Sequence, residues 1–292
     1  MENPIIHIGY PKTGSTWFYN SYYSKIKNVF LLPPEKYLPF IADHNFIFPD
    51  TEKDKRLVMI HPEMTGVKNF IWDDGVQRGK IASNLNRIFP SATIVLFLRN
   101  QLDFLTSAYI YYVKKGGTYP GSKMLDHIIQ GKFEFSLQYL NYPEMIDVFR
   151  KYFGSEDVHV YLFENFFSDP KTFMQKYSER YHFDISMNNI DFSPINDKLR
   201  KRLMTLMRIT NHFTKADNPF KKYYFNSHWV YRNINEVSDS LNSWKIFGKK
   251  ACTSGLFRQD QIDFIKEYYR ASNIKIRDEY GLSGISKYDY PC

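Results

Sequence analysis

Residues 9–17 combine glycines, a lysine and several hydroxyl side chains in the order Gly-Tyr-Pro-Lys-Thr-Gly-Ser-Thr-Trp. The segment lies between a short apolar run and a helical pattern, so it is predicted to be a strand-to-helix loop. Such a loop binds anions, because its backbone N–H groups and the positive end of the helix face the same point. Gly14 allows a close approach of the backbone, and Lys12 adds a mobile positive charge. These residues predict a site for a phosphate or sulfate group.

The position of the lysine separates this loop from the loop of nucleoside triphosphatases. Gly9 and Gly14 have the spacing of the Walker A pattern G-x-x-x-x-G-K-[ST], but Ser15 stands where that pattern has its lysine. Lys12 precedes the second glycine, so it is expected beside a group carried on a 5′-phosphate rather than beside the β- and γ-phosphates. This departure argues against a P-loop kinase or NTPase, which is the alternative interpretation of the loop.

A second candidate anion site follows the apolar, β-branched run Thr93–Leu98, which is predicted to be a central buried strand. The run ends in Arg99, and the carboxyl end of a central parallel strand lies at the ligand-binding edge of a sheet. Arg99 can bind a phosphate through two parallel hydrogen bonds, and Ser107 can add a hydroxyl donor from the next helix. The alternative is a surface ion pair between Arg99 and Asp103. The strand lacks the terminal Asp that a Walker B magnesium site requires.

The two motifs together resemble those of the sulfotransferases that use 3′-phosphoadenosine 5′-phosphosulfate (PAPS). Cytosolic members of that family carry a Tyr-Pro-Lys-Ser-Gly-Thr-Thr-Trp loop for the 5′-phosphosulfate, and an Arg-Asn followed by Ser for the 3′-phosphate. The resemblance implies that PAPS is the donor, that 3′-phosphoadenosine 5′-phosphate (PAP) is the product, and that Arg99 and Ser107 bind the 3′-phosphate. It also implies a set of loop contacts, with Trp17 near the adenine and the phosphosulfate held by Lys12, Thr13, Gly14, Ser15 and Thr16.

Lys12 is the predicted electrostatic catalyst, and a general base is needed to take the proton of the acceptor. The apolar run Leu57–Ile60 is followed by His61 and Glu63, which both reach the sheet edge of the nucleotide loop. In the family, a His follows this strand in cytosolic members, and a Glu serves in glycan-type and many bacterial members. The local pattern favours Glu63, and His61 remains the alternative. No cluster of His, Cys, Asp and Glu has metal-ligand spacing, so no metal is predicted.

The resemblance is specific over residues 4–182 and looser beyond them. Glu164 lies in a segment that resembles a family Tyr-Glu-Asp element, and a structural role is predicted for it. The late Arg-Lys-Gly element of cytosolic members was not found, so that contact to the 3′-phosphate stays open. The glycine-containing segment Lys114–Phe135 is predicted to be a mobile lid over the acceptor.

Alternation of strands and helices predicts an α/β fold, a three-layer sandwich around a central parallel sheet. The apolar runs that predict strands are residues 5–9, 57–60, 93–98 and 158–162. Helices are predicted at residues 15–27, 75–89 and 102–113, and Pro170 is predicted to open another. Beyond residue 193 the pattern predicts a helical C-terminal portion, with helices at residues 197–213, 236–247 and 259–272. Residues 1–292 are interpreted as a single sulfotransferase domain.

The amino-acid composition limits the classes of binding partner and the cellular location that can be expected. A net charge of +8 favours anionic ligands, but the basic residues are spread along the chain and accompany no nucleic-acid motif, so no nucleic-acid partner is predicted. Only Cys252 and Cys292 occur, which favours a reducing, cytoplasmic location over a disulfide-bonded one. No run approaches the ~20 apolar residues of a membrane span, and no leader segment is predicted.

The acceptor is the least defined part of the prediction. An acceptor hydroxyl or amine is expected, and the positive charge favours an acidic molecule or a glycan. The 23 Tyr and 25 Phe residues either fill the core or line a pocket for that acceptor. A non-catalytic protein that binds a nucleotide or a glycan is a further alternative.

Overall fold

The structure, a computed structural model, describes residues 3–38, 41, 54–66, 75–133, 135–193, 198–213, 224 and 227–292. These residues contain five strands: β1 (Ile5–Gly9), β2 (Val29–Leu31), β3 (Arg56–Ile60), β4 (Thr93–Leu98) and β5 (Val158–Leu162). The strands form one sheet in the order β2-β3-β1-β4-β5, and every pairing is parallel. This arrangement confirms the predicted α/β class with a central parallel sheet.

Eleven α-helices occur among the described residues. They are α1 (Ser15–Trp17), α2 (Arg78–Ile88), α3 (Gln101–Lys114), α4 (Gly121–Ile129), α5 (Tyr142–Phe153), α6 (Phe163–Ser168), α7 (Pro170–Arg180), α8 (Lys201–Thr210), α9 (His228–Asn242), α10 (Thr253–Leu256) and α11 (Gln259–Glu279). Helix α1 continues as a π-helical turn over Phe18–Tyr22 and a 3₁₀ turn over Tyr23–Lys25.

Helices cover both faces of the sheet because its central strands are apolar on both sides. Every residue of β1 and β4 is buried. On one face, α5 packs against β4 and β5 and contacts α2. On the other face, the segment after α1 and helix α7 pack in one cluster with side chains of β1, β3 and β4. These three layers are the sandwich predicted from the strand and helix pattern.

The core beneath the first loop is aromatic and contains a buried histidine. His7 is fully buried, and its Nδ1 atom lies 3.0 Å from the hydroxyl of Tyr23. The Tyr23 hydroxyl in turn lies 2.6 Å from that of Tyr177 in α7. Burial lowers the pKa of His7 to about 3, so its imidazole is neutral at physiological pH. Many of the aromatic residues therefore fill the core, which was one of the two expectations for them.

Two compact units divide the chain. The first comprises Met1–Asn100, Gln138–Ile195 and Tyr269–Cys292 and contains the whole sheet. The second comprises Gln101–Leu137 and Asn196–Tyr268. In its described residues the second unit is helical and has no strand beyond an isolated bridge between Arg200 and Lys250. The single domain over residues 1–292 stays a prediction.

Within the second unit, the segment predicted to be a lid contains helix α4 and is joined to its neighbours by hydrogen bonds. The hydroxyl of Tyr112 accepts from the backbone N–H groups of Thr118 and Tyr119, both at 3.1 Å. Arg258 forms two parallel bonds of 3.0 Å with Asp126 of α4. The helix was not predicted, and movement of the segment over an acceptor stays a prediction.

The predicted elements agree with the structure where the sequence pattern is strong. Strands β1, β3, β4 and β5 are confirmed to within one residue. The sequence analysis missed β2 and α5, and the predicted helix over residues 15–27 is divided among α, π and 3₁₀ turns. The helix predicted at residues 236–247 begins earlier, at His228, and the helix predicted at residues 259–272 continues to Glu279.

Candidate functional site

The loop after β1 and Arg99 lie at the carboxyl ends of neighbouring strands in the first unit. From β1 the chain continues to β2 and β3 on one side of the sheet, whereas β4 and β5 lie on the other. The gap between β1 and β4 is therefore the topological switch point, where α/β sheets bind their ligands. Gly9 is in register with Phe97, so the loop after β1 begins beside the strand end that carries Arg99.

Left-handed residues shape the loop after β1. Lys12 has a φ angle of 69° and Gly14 of 85°. Left-handed residues between right-handed ones turn successive backbone N–H groups toward one point, which is how backbone nests bind anions. Both donors of the buried Thr13 are used within the loop, since its N–H and its hydroxyl donate to the Tyr10 carbonyl at 3.2 and 2.6 Å. Thr13 therefore closes the turn.

Ser15 supplies an unused donor in this loop. Its Oγ atom is buried and has no hydrogen-bond partner among the described residues. A buried hydroxyl without a partner is costly, so such atoms commonly face a ligand or an ion. Ser15 also begins α1, where backbone N–H groups lack helical partners. This unpartnered hydroxyl fits the predicted phosphosulfate group, and Thr16 next to it is exposed.

At two positions in the loop, neighbouring atoms lie so close that only glycine fits. A Cβ atom on Gly9 would lie 2.5 Å from Thr13 Oγ1 and 3.1 Å from Ser15 Oγ, so a larger residue would displace both side chains. A Cβ atom on Gly14 would lie 3.3 Å from the Phe163 ring, at a φ angle that other residues rarely adopt. The loop thus keeps its shape only with glycine at these positions.

We expect Gly14→Ala to destabilise the protein by about 1–2 kcal/mol, since a left-handed residue with a Cβ atom is strained. Affinity for the predicted nucleotide should fall as well, because relief of the strain changes the direction of the loop N–H groups. Denaturant unfolding and calorimetry with PAP measure the two effects. Gly79→Ala in α2 is the control, because a Cβ there meets nothing within 4 Å and alanine favours a helix. Equal stability of the two variants would contradict the account of the loop.

Arg99 lies against the loop that holds Lys12. Its Nη1 atom donates to the Lys12 carbonyl at 2.7 Å, and its guanidinium carbon lies 5.1 Å from the centre of the Phe163 ring. The other guanidinium nitrogens form no hydrogen bond with the described residues. Asp103, the partner of Arg99 in the alternative prediction, belongs to the second unit and pairs there with Lys198 at 3.2 Å. Arg99 thus connects the two candidate anion sites.

Glu164 and the C-terminal turn hold the end of β4. The carboxylate of Glu164 accepts from the Asn100 backbone N–H at 2.8 Å and from the Tyr290 hydroxyl at 2.9 Å. Burial raises the pKa of Glu164, and the hydrogen bonds partly offset that shift. The Asn100 amide donates to the carbonyls of Tyr288 and Asp289 at 3.1 and 2.9 Å. These contacts agree with the structural role predicted for Glu164.

Tyr139 connects the loop after β1 with the turn after β3. Its carbonyl accepts from the Tyr10 hydroxyl at 3.0 Å, and its own hydroxyl lies 2.7 Å from that of Thr65. Arg78 adds a 3.3 Å bond to the same carbonyl. Sequence reasoning missed Tyr139, as well as Phe163 beneath Arg99, because both come from segments distant in the chain and carry no local motif.

Trp17 is packed in the aromatic core. Its side chain is 6% exposed, and Nε1 donates to the Asp191 carbonyl at 2.9 Å. The ring packs against Phe166 and stacks on Phe192, with centroids 4.8 and 5.8 Å away. These contacts position the end of α1. The predicted contact of Trp17 with adenine stays a prediction.

The two candidate bases share one 3₁₀ turn at the carboxyl end of β3. His61 precedes the turn Pro62–Thr65, and its Nδ1 atom accepts from the backbone N–H of Glu63 at 3.2 Å. Burial lowers the pKa of His61 to about 4, so the ring is neutral at physiological pH. In a neutral ring whose Nδ1 accepts, the proton is on Nε2. The imidazole therefore has no free lone pair in this arrangement.

The remaining predicted features are distributed over both units. Ser107 is half-buried in α3 of the second unit, and its contact with the 3′-phosphate stays a prediction. Among the residues that the structure describes, no group of three His, Cys, Asp or Glu side chains could hold a metal ion. No helix in the described ranges is long and apolar enough to cross a membrane. Cys252 and Cys292 are not disulfide-bonded.

Comparisons with known proteins identify the fold. No family model and no curated protein matches the sequence. Among solved structures, mouse sulfotransferase SULT7A1 complexed with PAP matches with a TM-score of 0.52 and 12% identity, over 100% of this chain and 90% of that one. A sulfotransferase from Alicyclobacillus acidocaldarius matches with a TM-score of 0.49 and 16% identity, over 72% of this chain and 94% of that one. The likeness to the mouse structure, over the whole of this chain, confirms the predicted sulfotransferase fold.

Proposed function

We propose that this protein is a sulfotransferase that transfers a sulfuryl group from PAPS to a hydroxyl or amine of an acceptor. The observation that carries the proposal is the hydrogen bond from Arg99 to the Lys12 carbonyl, which brings two anion motifs together at the switch point. A nucleotide with anionic groups at both its 5′ and 3′ positions matches two such motifs, whereas ATP offers only the first. The PAP in the mouse relative supports the same choice of nucleotide.

In this proposal the chain positions the donor and stabilises charge. The acceptor oxygen or nitrogen attacks sulfur, the sulfur–oxygen bond to the 5′-phosphate breaks, and PAP leaves with the electron pair. Lys12 and the loop N–H groups offset the negative charge that develops on the leaving oxygen. Arg99 holds the 3′-phosphate, and its bond to the Lys12 carbonyl keeps the loop in position. The acceptor proton passes to a base, which the transfer requires.

Glu63 is the better candidate for that base. His61 uses its Nδ1 lone pair to accept from the Glu63 backbone N–H, so a neutral ring presents only the protonated Nε2 atom. To accept a proton, His61 would have to give up this hydrogen bond at Nδ1 and become an imidazolium, which its lowered pKa disfavours. Glu63, which the local sequence pattern favours, is the other candidate in the same turn. His61 then serves as a cap that orients the turn carrying Glu63.

We expect Glu63→Gln to reduce kcat by about 10²–10⁴-fold, the usual contribution of a positioned base. His61→Asn should retain most of the activity, because the Asn side-chain oxygen can accept from the same N–H as an N-cap residue does. Steady-state kinetics with a labelled donor compare the two variants, which carry matched amide replacements. If His61→Asn abolished turnover while Glu63→Gln left it intact, the roles of the two residues would be reversed.

The acceptor can be identified by transfer from ³⁵S-labelled PAPS onto a panel of glycans, phenols, lipids and amines. We expect label in an acidic or glycan acceptor, in line with the net charge of +8. The Lys12→Ala protein is the control for label carried by contaminating enzymes. Tight binding of PAP without transfer to any acceptor would favour the non-catalytic alternative and would contradict the enzymatic proposal.

A further inference from the structure

A second cationic pocket lies on the outer edge of the sheet in the first unit. It has a volume of about 300 Å³, and its lining includes Arg150 from the end of α5, Arg180 from the end of α7, and Tyr280. Residues at the start of β5 also line it. This volume is at the lower end of small-ligand sites. None of the predicted site residues lines it.

Neither arginine of this pocket forms an ion pair within 4 Å among the described residues, although the carboxylates of Asp147 and Asp157 lie near Tyr280 and His159 of its lining. The ion pairs among the described residues involve other side chains, and neither Arg150 nor Arg180 takes part in them. Glu156 lines the pocket but is exposed and pairs with neither arginine within 4 Å. The Nε atom of Arg150 is buried and donates to no acceptor in the described part of the chain. A buried donor of a charged group without an acceptor points to a ligand.

Aromatic rings orient both guanidinium groups. The guanidinium carbon of Arg150 lies 4.6 Å from the centre of the Tyr280 ring, and that of Arg180 lies 5.9 and 6.0 Å from the rings of Tyr161 and Tyr181. Contact with a ring occupies the face of a guanidinium and leaves N–H groups at its edge for hydrogen bonds, one of which Arg180 makes with the Tyr161 side chain. Two such edges in one pocket suit a group with several acceptor oxygens.

The open edge of β5 adds backbone donors. β5 is the last strand of the sheet, and the Ile94 N–H donates to the Asp157 carbonyl at 2.7 Å. Because polar groups alternate in direction along a strand, the odd-numbered residues of β5 bond to β4, and Val158 and Val160 direct their N–H groups to the open side. Both valines line the pocket.

His159 in the same lining contributes no charge at neutral pH. Its Nε2 atom lies 3.0 Å from the Glu156 carbonyl, and its Nδ1 atom lies 2.7 Å from the Tyr181 hydroxyl. Burial and the nearby Arg180 lower the pKa of His159. The positive charge of the pocket thus comes from its two arginines.

We propose that this pocket binds a tetrahedral oxyanion, as a phosphate monoester or a sulfate ester, at a site separate from the nucleotide site. The pocket lies at the amino end of β5, whereas the Lys12 loop and Arg99 follow the carboxyl ends of their strands. A five-residue strand separates the two ends by about 16 Å. One small ligand therefore cannot occupy both places, and the proposal does not depend on sulfuryl transfer.

The test is titration of ¹⁵N-labelled protein with inorganic phosphate, sulfate and phenyl phosphate at constant ionic strength. We expect saturable shifts of the Val158 and Val160 amide signals, and at least about tenfold weaker binding in Arg180→Gln, which loses a charged hydrogen-bond donor. Arg180 is exposed, so this variant should fold like the native protein. Arg87→Gln, which removes an exposed arginine of α2, is the matched control and should bind as the native protein does.

The results of this titration distinguish anion binding in the β5 pocket from anion binding at the loop that contains Lys12. Binding that persists in Arg99→Ala and is weakened by Arg180→Gln supports the proposal. Tighter binding of phenyl phosphate than of inorganic phosphate would support an ester as the ligand, and equal or weaker binding would contradict that assignment. Shifts confined to the amides of residues 12–16, no saturable shift at β5, or equal affinity of Arg180→Gln and Arg87→Gln would overturn it.

Discussion

Replacement of Lys12 by alanine is expected to reduce turnover by about 10²–10³-fold, the usual effect of removing one preorganised group that stabilises charge in a transition state. Affinity for PAP should change much less, because the backbone N–H groups and Arg99 remain. The half-buried Lys12 is held in a left-handed conformation in the loop, beside the strand end that carries Arg99. This placement suits a charge that acts on the leaving group.

The measurement is single-turnover kinetics with labelled PAPS, together with calorimetry for PAP. Lys25→Ala, which removes an exposed lysine ten residues past the start of α1, is the control and should retain full activity. If Lys12→Ala weakened PAP binding strongly and left the single-turnover rate unchanged, Lys12 would be a binding residue and not the electrostatic catalyst.

Replacement of Arg99 by alanine is expected to have the largest effect on nucleotide binding. The loss of a half-buried partner of a phosphate should weaken PAP binding by about 2–3 kcal/mol, measured by calorimetry. A second effect follows from the structure, since the variant also loses the bond to the Lys12 carbonyl. Turnover at saturating nucleotide should therefore fall too, although less than in Lys12→Ala.

The Arg99→Lys variant distinguishes the contribution of the positive charge from that of the planar guanidinium group. A lysine retains the charge but cannot donate to the Lys12 carbonyl and to a phosphate through one planar group. We expect this variant to recover part of the lost affinity and little of the lost turnover. Arg87→Ala, on the exposed side of α2, is the control for the loss of a positive charge. Native affinity for PAP in Arg99→Ala would contradict the assignment of Arg99 to the 3′-phosphate.

The sheet could be predicted where the chain is strongly apolar. β1 and β4 consist of buried residues along their whole length, and such runs are typical of central parallel strands. β2 has only three residues, two of them half-buried, so its pattern does not differ from that of a loop. Helix α5, in contrast, carries a local signal that the sequence analysis overlooked: its buried residues Tyr142, Met145, Ile146, Phe149 and Phe153 have helical spacing, and Gly154 ends it. Tertiary packing, rather than a local pattern, specifies β2.

The candidate site was predictable to the extent that it is local in sequence. The loop after β1 carries its glycines and its lysine within six residues, and Arg99 directly follows a strand, so each motif could be recognised by itself. The contacts that join the motifs are not local, since Tyr139, Phe163 and Tyr290 come from segments far along the chain. The unusual backbone of Lys12 and the role of His61 as a cap likewise required the structure.

Calorimetric titration of the native protein with PAP, compared with ATP and Mg²⁺, tests the central claim most directly. The account predicts one PAP site per chain with affinity well above that for ATP–Mg²⁺, and loss of that preference in Arg99→Ala, because the 3′-phosphate is the group that Arg99 distinguishes. Binding of ATP–Mg²⁺ without measurable binding of PAP would contradict the account and would support a nucleoside triphosphate as the ligand of the loop.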